Sequence, residues 1–515
     1  MQKSLRRLFV GFILIQPFLD IYYLYQPPIT TWFKFSPSTI IRIVLIAIVA
    51  VLFLITHHSR RLDLFLVGYA LILGVYFIFH TINAAQVHTY TPGNFNYSMV
   101  SELFYLIRMV IPLFVIILGY HIELSRTVIE NITRGLVLLV SGSIVILNLF
   151  TFSLASYGDQ IHGGTNSWIT GNIFTWFSNN GSWSYFNLAS KGLFYYANAT
   201  SAIELLLAPL IFYYLLVDTE WKNIVLAVFQ TLAMLMLGTK AAALGLALTF
   251  AFVVVAYLFF AFIRKEISFN WRPFVVLLLL GVMAVAIMPH SPALNRTSFD
   301  AQTTQERHKK EKKDNSVKEL KYLMHHKNRK NLVRYIKRNY PKYSINPYFI
   351  TKAYPYKDDP YFWWGVMNWP VQDRLNNRKT EQAMLERVKQ IDNRKSDDWL
   401  GIGYIRMNNI ANLERDFVSQ YYSMGYIGAF LLLAPYVLAI IYMVYRLLRY
   451  WRELLTMRNT MFAGSVTMMV GLSFYSGNVM DFLGASILLG FYMGYTLRIL
   501  THNEQRHPQL NFNHR

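Results

Sequence analysis

Apolar segments recur along most of this chain, with short polar segments between them. Most are close to the roughly 20 residues that a helix needs to cross a bilayer. The pattern predicts an all-α polytopic membrane protein with about twelve transmembrane helices. The predicted spans cover residues 8–25, 39–55, 62–80, 100–120, 132–152, 202–216, 224–237, 241–263, 274–288, 421–445, 462–474 and 482–497.

A hydrophilic block at residues 291–415 interrupts the apolar pattern and is rich in Lys and Arg. Helical spacing between residues 317 and 336, including Leu332 and Ile336, predicts a helix whose apolar stripe lies against the membrane surface. An aromatic stretch at 340–369 follows, and a further helix is predicted at 381–390. We therefore expect a large helical loop domain here.

This block divides the chain into four predicted regions. Residues 1–290 hold transmembrane helices 1–9, and residues 291–415 form the basic loop domain. Residues 416–500 hold helices 10–12, and residues 501–515 form a tail. An outer loop at 153–195 is nearly uncharged and rich in Gly, Asn, Ser and Trp. Such groups suit hydrogen bonding and stacking with sugars, and an ordinary solvated loop stays an equal alternative.

The charges of the short loops predict the orientation in the cytoplasmic membrane, because Lys and Arg accumulate on the cytoplasmic side. With a cytoplasmic N-terminus, the short outer loops carry only Lys34, Lys191 and Lys240, and the inner loops carry the other short-loop cations. Both termini are then cytoplasmic and the block at 291–415 is extracellular. Long loops are translocated largely regardless of charge, so the basic block is compatible with this side.

Composition narrows the class of protein further. The chain is 54% hydrophobic, which is too apolar for a soluble protein of this length. Its net charge of +21 lies mostly in the block and the short loops, so it indicates topology and no nucleic-acid binding. The lack of cysteine excludes thiolate nucleophiles and Cys-ligated metals. We find no Walker loop, dinucleotide-binding Gly motif, nucleophile elbow or metal-ligand spacing.

Two pairs of residues near the end of the block are candidates for catalysis. Arg374 and Arg378 suit pyrophosphate, because a guanidinium donates bidentately and would stabilise charge on a leaving group. A solvated basic helix start is the alternative. Glu414 and Asp416 could supply a general base to an acceptor hydroxyl at the mouth of the tenth span. An ordinary interfacial ion pair is the alternative there.

Charged residues in or beside the spans are further candidates. Lys240 lies in the short turn between the seventh and eighth spans, where it either snorkels to water or enters a cavity. Arg108 lies inside the fourth span, with Glu102 two turns away, and Glu204 lies in the sixth. Intramembrane charges are functional candidates by default. For these three residues, structural pairing and substrate contact stay equally open.

Several segments, in this order, resemble the O-antigen ligase/polymerase superfamily of membrane glycosyltransferases, in the variant seen in Gram-positive bacteria. They are QPFLD in the first span, GLFYYANATSA entering the sixth, LGTKAAALG at the seventh–eighth turn, and WLGIGY followed by NLERDFVSQYYSMGYIG, which runs into the tenth. With the long outer loop before that span, the resemblance covers most of the chain.

The resemblance implies a GT-C-type fold and an inverting glycosyltransferase that uses neither a metal nor another cofactor. Family members pass a glycan from undecaprenyl pyrophosphate to an acceptor glycan hydroxyl on the outer face. Lys240 stands where the family often has Arg, and Arg374 or Arg378 fits the loop Arg. The expected pyrophosphate-binding set is completed by Arg406, Arg108 and Asn198.

One departure from the family pattern bears on the reaction. Ligases place a His near the start of the span after the loop, whereas this chain has Glu414 and Asp416 there. That difference favours a polymerase of surface polysaccharide over a ligase. The implied partners are the lipid-linked glycan, the acceptor glycan, a bilayer with anionic lipids and other envelope-assembly proteins.

Two other function classes stay open from the sequence. A flippase for the same lipid-linked glycan should show two related halves and a polar central path, and the halves here look unlike each other. A non-enzymatic envelope scaffold could use the basic block to hold anionic polymers. Nothing in the sequence excludes the scaffold.

Overall fold

The computed structural model describes residues 1–21, 24, 36–57, 59–91, 95–153, 171–178, 185–312, 328–410, 413–477 and 479–502. These residues are mainly helical and form no strand, apart from one isolated antiparallel bridge between Ile21 and Phe194. The predicted all-α polytopic membrane fold is confirmed.

The first half of the chain contains thirteen α-helices in the described residues. They are α1 (Gln2–Leu14), α2 (Gln16–Leu19), α3 (Pro37–Thr56), α4 (Arg60–Ala85), α5 (Met99–His121), α6 (Arg126–Val137), α7 (Ser143–Leu149), α8 (Ile173–Trp176), α9 (Tyr185–Leu188), α10 (Ala197–Val217), α11 (Trp221–Met236), α12 (Lys240–Leu258) and α13 (Trp271–Ile287). Short π-helical segments, Leu138–Gly142 and Phe259–Ile263, continue α6 and α12, and a 3-10 turn, Met288–His290, follows α13.

The second half contains eleven more α-helices in the described part. They are α14 (Pro292–Lys312), α15 (Arg329–Asn339), α16 (Pro360–Met367), α17 (Val371–Leu375), α18 (Asn377–Asp392), α19 (Ser396–Leu400), α20 (Tyr404–Ile410), α21 (Asp416–Arg449), α22 (Trp451–Leu454), α23 (Met457–Tyr475) and α24 (Leu483–Thr501). A 3-10 turn, Tyr340–Tyr343, and a π-helical segment, Phe349–Ala353, lie between α15 and α16.

Within the described residues, each of the predicted spans coincides with helical structure. Nine helical segments of the described residues are long and apolar enough to cross a membrane, and α11 is a shorter apolar helix. The first predicted span is divided, because α1 ends at Leu14 and Pro17 lies in the first turn of α2. Proline is tolerated in a first turn, where its missing N–H has no intrahelical partner.

The chain forms two compact units. The first comprises Met1–Arg60, Arg108–Arg296 and Pro435–Arg515. Its centre is α10, which packs against α11, α12 and α23 and buries nearly all of its side chains. A helix that is apolar on every face is suited to such a position.

The second unit comprises Arg61–Ile107 and Thr297–Ala434. Its core contains many aromatic side chains, and the buried Trp363 indole donates to the Tyr354 carbonyl at 2.6 Å. This unit is defined by packing, and it includes residues outside the predicted 291–415 domain, namely 61–107 and 416–434. The predicted boundaries concern the side of the membrane, which packing does not test, so they stay predictions.

One expectation about the basic block is wrong. Leu332 and Ile336 lie on α15, and both are buried in the core of the second unit instead of facing a membrane surface. Residues 313–327, which include the first half of the predicted amphipathic helix, lie outside the described residues. The helix predicted at 381–390 is part of α18. Most of the Gly/Asn/Ser/Trp-rich loop also lies outside the described part of the chain.

Candidate functional site

The site in the second unit is built on a break in α21 at Gly425, where the backbone has φ 68° and ψ −177°. Three successive carbonyls at the break accept hydrogen bonds from elsewhere in this unit. The Tyr422 carbonyl accepts from Ile402 N at 2.9 Å, and the Ser423 carbonyl accepts from Gly403 N at 3.0 Å. The Met424 carbonyl accepts from the Tyr76 hydroxyl at 2.6 Å. The turn at 401–403 is thereby fixed on the first turns of α21.

Glycine is required on both sides of this contact. Gly401 and Gly403 have φ values of 81° and 93°, in the left-handed region that other residues rarely adopt. A Cβ on Gly401 would overlap the backbone at Ser423, and one on Gly425 would overlap the backbone at Leu400. The motifs WLGIGY and YYSMGYIG are therefore two halves of one packed turn.

Glu102 and His80 hold the same turn from a second direction. The Glu102 carboxylate accepts from Tyr404 N at 3.0 Å and from Ile405 N at 2.9 Å. His80 Nδ1 donates to the Leu400 carbonyl at 2.6 Å, and its Nε2 lies 3.3 Å from Glu102 Oε2. Both side chains are fully buried. The sequence left both structural pairing and substrate contact open for Glu102. Its observed contacts are those of a structural partner.

Arg374 and Arg406 are both buried and both donate to backbone carbonyls of the second unit. Arg374 donates to the Met367 carbonyl at 3.1 Å and lies over the Tyr343 ring. Arg406 donates to the Val87 carbonyl at 3.0 Å and lies over the Phe95 ring. These contacts anchor local structure. They do not test a contact with phosphate, so both residues stay predicted ligands.

Arg378 and Glu414 form an ion pair with their nitrogen and oxygen 3.0 Å apart. Arg378 is in the first turn of α18, and Glu414 precedes α21. Their side chains are 35% and 41% exposed, so both groups are accessible to a ligand. The structure therefore joins one predicted phosphate ligand to one predicted base.

Glu381 lies beside this pair and is a residue that sequence reasoning missed. It is on α18 three positions after Arg378, which places both residues on one helix face. Burial, together with the negative charge of Glu414, raises the pKa of Glu381 to about 8, against the opposing effect of Arg378. The next residue, Gln382, accepts from Arg415 at 3.3 Å. Arg378, Glu381 and Glu414 form what we call the Arg378 cluster.

Asp416, the second predicted carboxylate, is the first residue of α21 and is buried. An acidic residue in the first turn of a helix is stabilised by the helix dipole. The Asp416 carbonyl accepts from the Ser419 hydroxyl at 3.0 Å. These features suit a helix start, and a catalytic role for Asp416 stays a prediction.

In the first unit, Lys240 and Asn198 occupy the first turns of α12 and α10. The Thr239 hydroxyl caps α12 by accepting from Ala242 N at 3.0 Å, and it lies 2.7 Å from the Ser201 hydroxyl of α10. This contact joins the two helix starts. Lys240 is exposed and adds positive charge to a helix end that already favours anions.

Two other candidates of the first unit have structural contacts. Arg108 donates to the Asp481 carbonyl at 2.5 Å. Glu204 is fully buried in α10, where Ser141 donates to it at 2.8 Å and Gln230 also hydrogen-bonds to it. Within the described ranges, no group of three or more His, Asp or Glu side chains could hold a metal ion.

A known protein family matches nearly the whole chain. No curated protein matches it. The sequence model of the family described as O-antigen ligase like membrane protein matches residues 2–503. The chain therefore belongs to the family of O-antigen ligase-like membrane proteins.

Proposed function

We propose that this protein polymerises oligosaccharide units linked to undecaprenyl pyrophosphate into a surface polysaccharide, on the outer face of the cytoplasmic membrane. The family supports the joining of glycans in the membrane. The donor lipid, the polymerase activity and the inverting course of the reaction are the parts that we propose.

The Arg378 cluster is the observation that carries this proposal. It places a permanently charged cation beside two carboxyl groups, in a half-exposed position outside the apolar helices. Transfer from a lipid pyrophosphate needs both kinds of group. The cation stabilises the pyrophosphate as it leaves, and a carboxylate takes the proton of the attacking hydroxyl.

The proposed reaction is a single displacement that inverts the anomeric carbon. The acceptor oxygen loses its proton and forms a bond to that carbon. The bond from the same carbon to the pyrophosphate oxygen breaks, and its electron pair leaves with the pyrophosphate. A guanidinium suits this leaving group, because it donates bidentately to phosphate oxygens and keeps its charge at any physiological pH.

Lys240 and Asn198 are proposed to bind phosphate oxygens of the lipid-linked substrate. A lysine in the first turn of a helix opposes the helix dipole, so helix stability does not explain its position. The exposed ammonium and the positive end of the helix dipole together suit an anion. Arg108, Arg374 and Arg406 stay in the proposed binding set, with the structural contacts described above.

A polymerase is preferred to a ligase, because Glu414 and Asp416 occupy the segment where ligases of the family place a histidine. Deletion of the gene separates these activities. We expect single repeat units to accumulate on the lipid carrier at the outer face, with long polymer lost. Full-length but unattached chains would indicate a ligase, and units held at the inner leaflet would indicate a flippase. Unchanged glycans would contradict the proposed function.

A further inference from the structure

Glu381 shares one feature with Asp397 of the same unit, a buried carboxyl oxygen without a hydrogen-bond donor among the described residues. The other oxygen of Asp397 accepts from Asn83 and Arg394, and among the same residues no such bond is seen for Glu381. Its Oε2 atom is buried and accepts no hydrogen bond from the residues that the structure describes. A buried acceptor without a donor carries a desolvation cost that native proteins usually avoid. Such an atom needs a donor, which a bound substrate or water supplies.

Glu102, in the same unit, shows what a structural carboxylate looks like in this fold. It accepts from two backbone N–H groups and lies beside His80, so both of its oxygens have partners. Asp359 is another example, since it accepts from Phe362 N, the Tyr354 hydroxyl and Arg387. By comparison, the Oε2 atom of Glu381 has no donor among the described residues, so it can accept one from a bound group only if a side-chain rotation exposes it.

The groups around Glu381 define its electrostatics. Arg378, on the same helix, favours the ionised form, while Glu414 and burial favour the protonated form. Arg378 is itself paired with Glu414 at 3.0 Å, so its charge is partly neutralised before a substrate binds. The neighbouring Arg415 is hydrogen-bonded to Gln382. The result is a carboxyl group with raised proton affinity in a site with a cation at its edge.

We infer that Glu381 is the general base of the transfer, and that its Oε2 atom takes the proton from the acceptor hydroxyl. This inference rests on the proposed function. The proton moves from the acceptor oxygen to Glu381 as that oxygen bonds to the anomeric carbon, and the pyrophosphate leaves with the electron pair of the broken bond. The proton then passes from Glu381 to water. Glu414 positions Arg378 and keeps the proton affinity of Glu381 high.

A base with these surroundings predicts a specific pH profile. The pKa of Glu381 is raised to about 8, so the fraction of ionised base increases as the pH rises through that value. The transfer rate at saturating substrate should increase over the same range. A carboxyl group with a purely structural role would not impose this limb.

The test compares Glu381→Gln and Glu381→Asp with the wild-type protein, using purified full-length chain and a lipid-pyrophosphate-linked oligosaccharide. Glu381→Gln should lower the rate by about 100-fold or more. It should also remove the increase in rate with rising pH. Glu381→Asp should transfer glycan more slowly than wild type, and its rate should still increase with rising pH. Glu386→Gln removes a carboxylate from the next turn of the same helix, where it pairs with Tyr422, and should behave as wild type.

Three results would overturn the inference. The first is a transfer rate of Glu381→Gln within about tenfold of wild type, and the second is a rate of Glu381→Gln that still increases with pH. The third is a wild-type transfer rate that stays constant from about pH 6 to about pH 9. A constant wild-type rate would contradict the inference even if Glu381→Gln fails to fold, because it needs no variant. Wild-type protein that transfers no glycan would instead contradict the proposed function itself. The two failures are therefore distinguishable.

Discussion

Three arginines of the hydrophilic block differ in what holds their guanidinium groups. Arg374 and Arg406 are buried and donate to backbone carbonyls, whereas Arg378 pairs with a half-exposed carboxylate. Removal of a buried donor leaves its acceptors without partners, which is costly. An exposed ion pair contributes little to stability. Substitution of Arg374 or Arg406 should therefore mainly lower stability, whereas substitution of Arg378 should mainly lower activity.

We expect Arg374→Ala and Arg406→Ala to lower the free energy of unfolding by about 2 to 4 kcal/mol. Arg378→Ala should change it by less than about 1 kcal/mol, while lowering glycan transfer by about 100-fold or more. Thermal melting in detergent and the transfer rate check both quantities. Arg338→Ala, on the basic face of α15, is a matched control that should change neither. Normal transfer by folded Arg378→Ala would contradict the proposed site.

Glu381 also links stability to pH. Its pKa is about 8 in the folded protein, above the ordinary value for Glu, so the folded state favours the protonated form. The resulting stabilisation is complete below the ordinary pKa and is lost as the pH rises toward about 8. Glu381→Gln cannot ionise, so its advantage in melting temperature over wild type should grow from about pH 6 to about pH 8 and then level off. A constant difference would show that this carboxyl group does not titrate in that range.

Sequence reasoning identified part of this cluster and missed the rest for a physical reason. Arg378 and Glu414 were predictable, because an arginine at a helix start and a carboxylate at the mouth of a span are unusual locally. Glu381 is one of two glutamates in the polar helix α18. Only the fold shows that its Oε2 atom is buried beside Glu414, since helical spacing does not reveal what covers a helix face.

At the scale of elements, the break in α21 at Gly425 and the turn at 401–403 depend on each other. Backbone hydrogen bonds join them, and each glycine leaves space for the backbone of the other segment. Substitution should therefore affect the whole turn, including its contacts with Glu102 and Tyr76.

We expect Gly401→Ala and Gly425→Ala each to destabilise the protein by about 2 to 4 kcal/mol, because a Cβ would meet backbone at a positive φ. Gly365→Ala is the control. That glycine lies inside α16 with open space around its Cβ position, so alanine should be neutral or stabilising by up to about 1 kcal/mol. Thermal melting of the three variants provides the comparison. Equal melting temperatures would show that the turn does not need these glycines.

The elements themselves were largely predictable, and their packing was not. Long apolar runs predict transmembrane helices because a bilayer requires them. The apolar face of α15 was predicted to lie on a membrane surface, yet Leu332 and Ile336 pack into the aromatic core of the second unit. An amphipathic pattern shows that a face needs cover, and it does not show whether lipid or protein supplies it.

For the whole molecule, orientation in the membrane is the property on which the proposed function depends. The natural absence of cysteine allows single-cysteine labelling without further substitutions. We expect a membrane-impermeant maleimide to label Lys395→Cys in intact cells, because the hydrophilic block should be extracellular. Lys222→Cys, in a predicted cytoplasmic loop, should be labelled only after permeabilisation. The reverse pattern would place the Arg378 cluster on the wrong side for this reaction.

The most direct test of the proposed activity uses purified protein, an undecaprenyl-pyrophosphate-linked oligosaccharide and EDTA. Wild-type protein and Arg338→Ala should lengthen the glycan and release undecaprenyl pyrophosphate, whereas Arg378→Ala should leave the substrate unchanged. No elongation by the folded wild-type protein would contradict the proposed polymerase. Equal elongation by Arg378→Ala would contradict the proposed site.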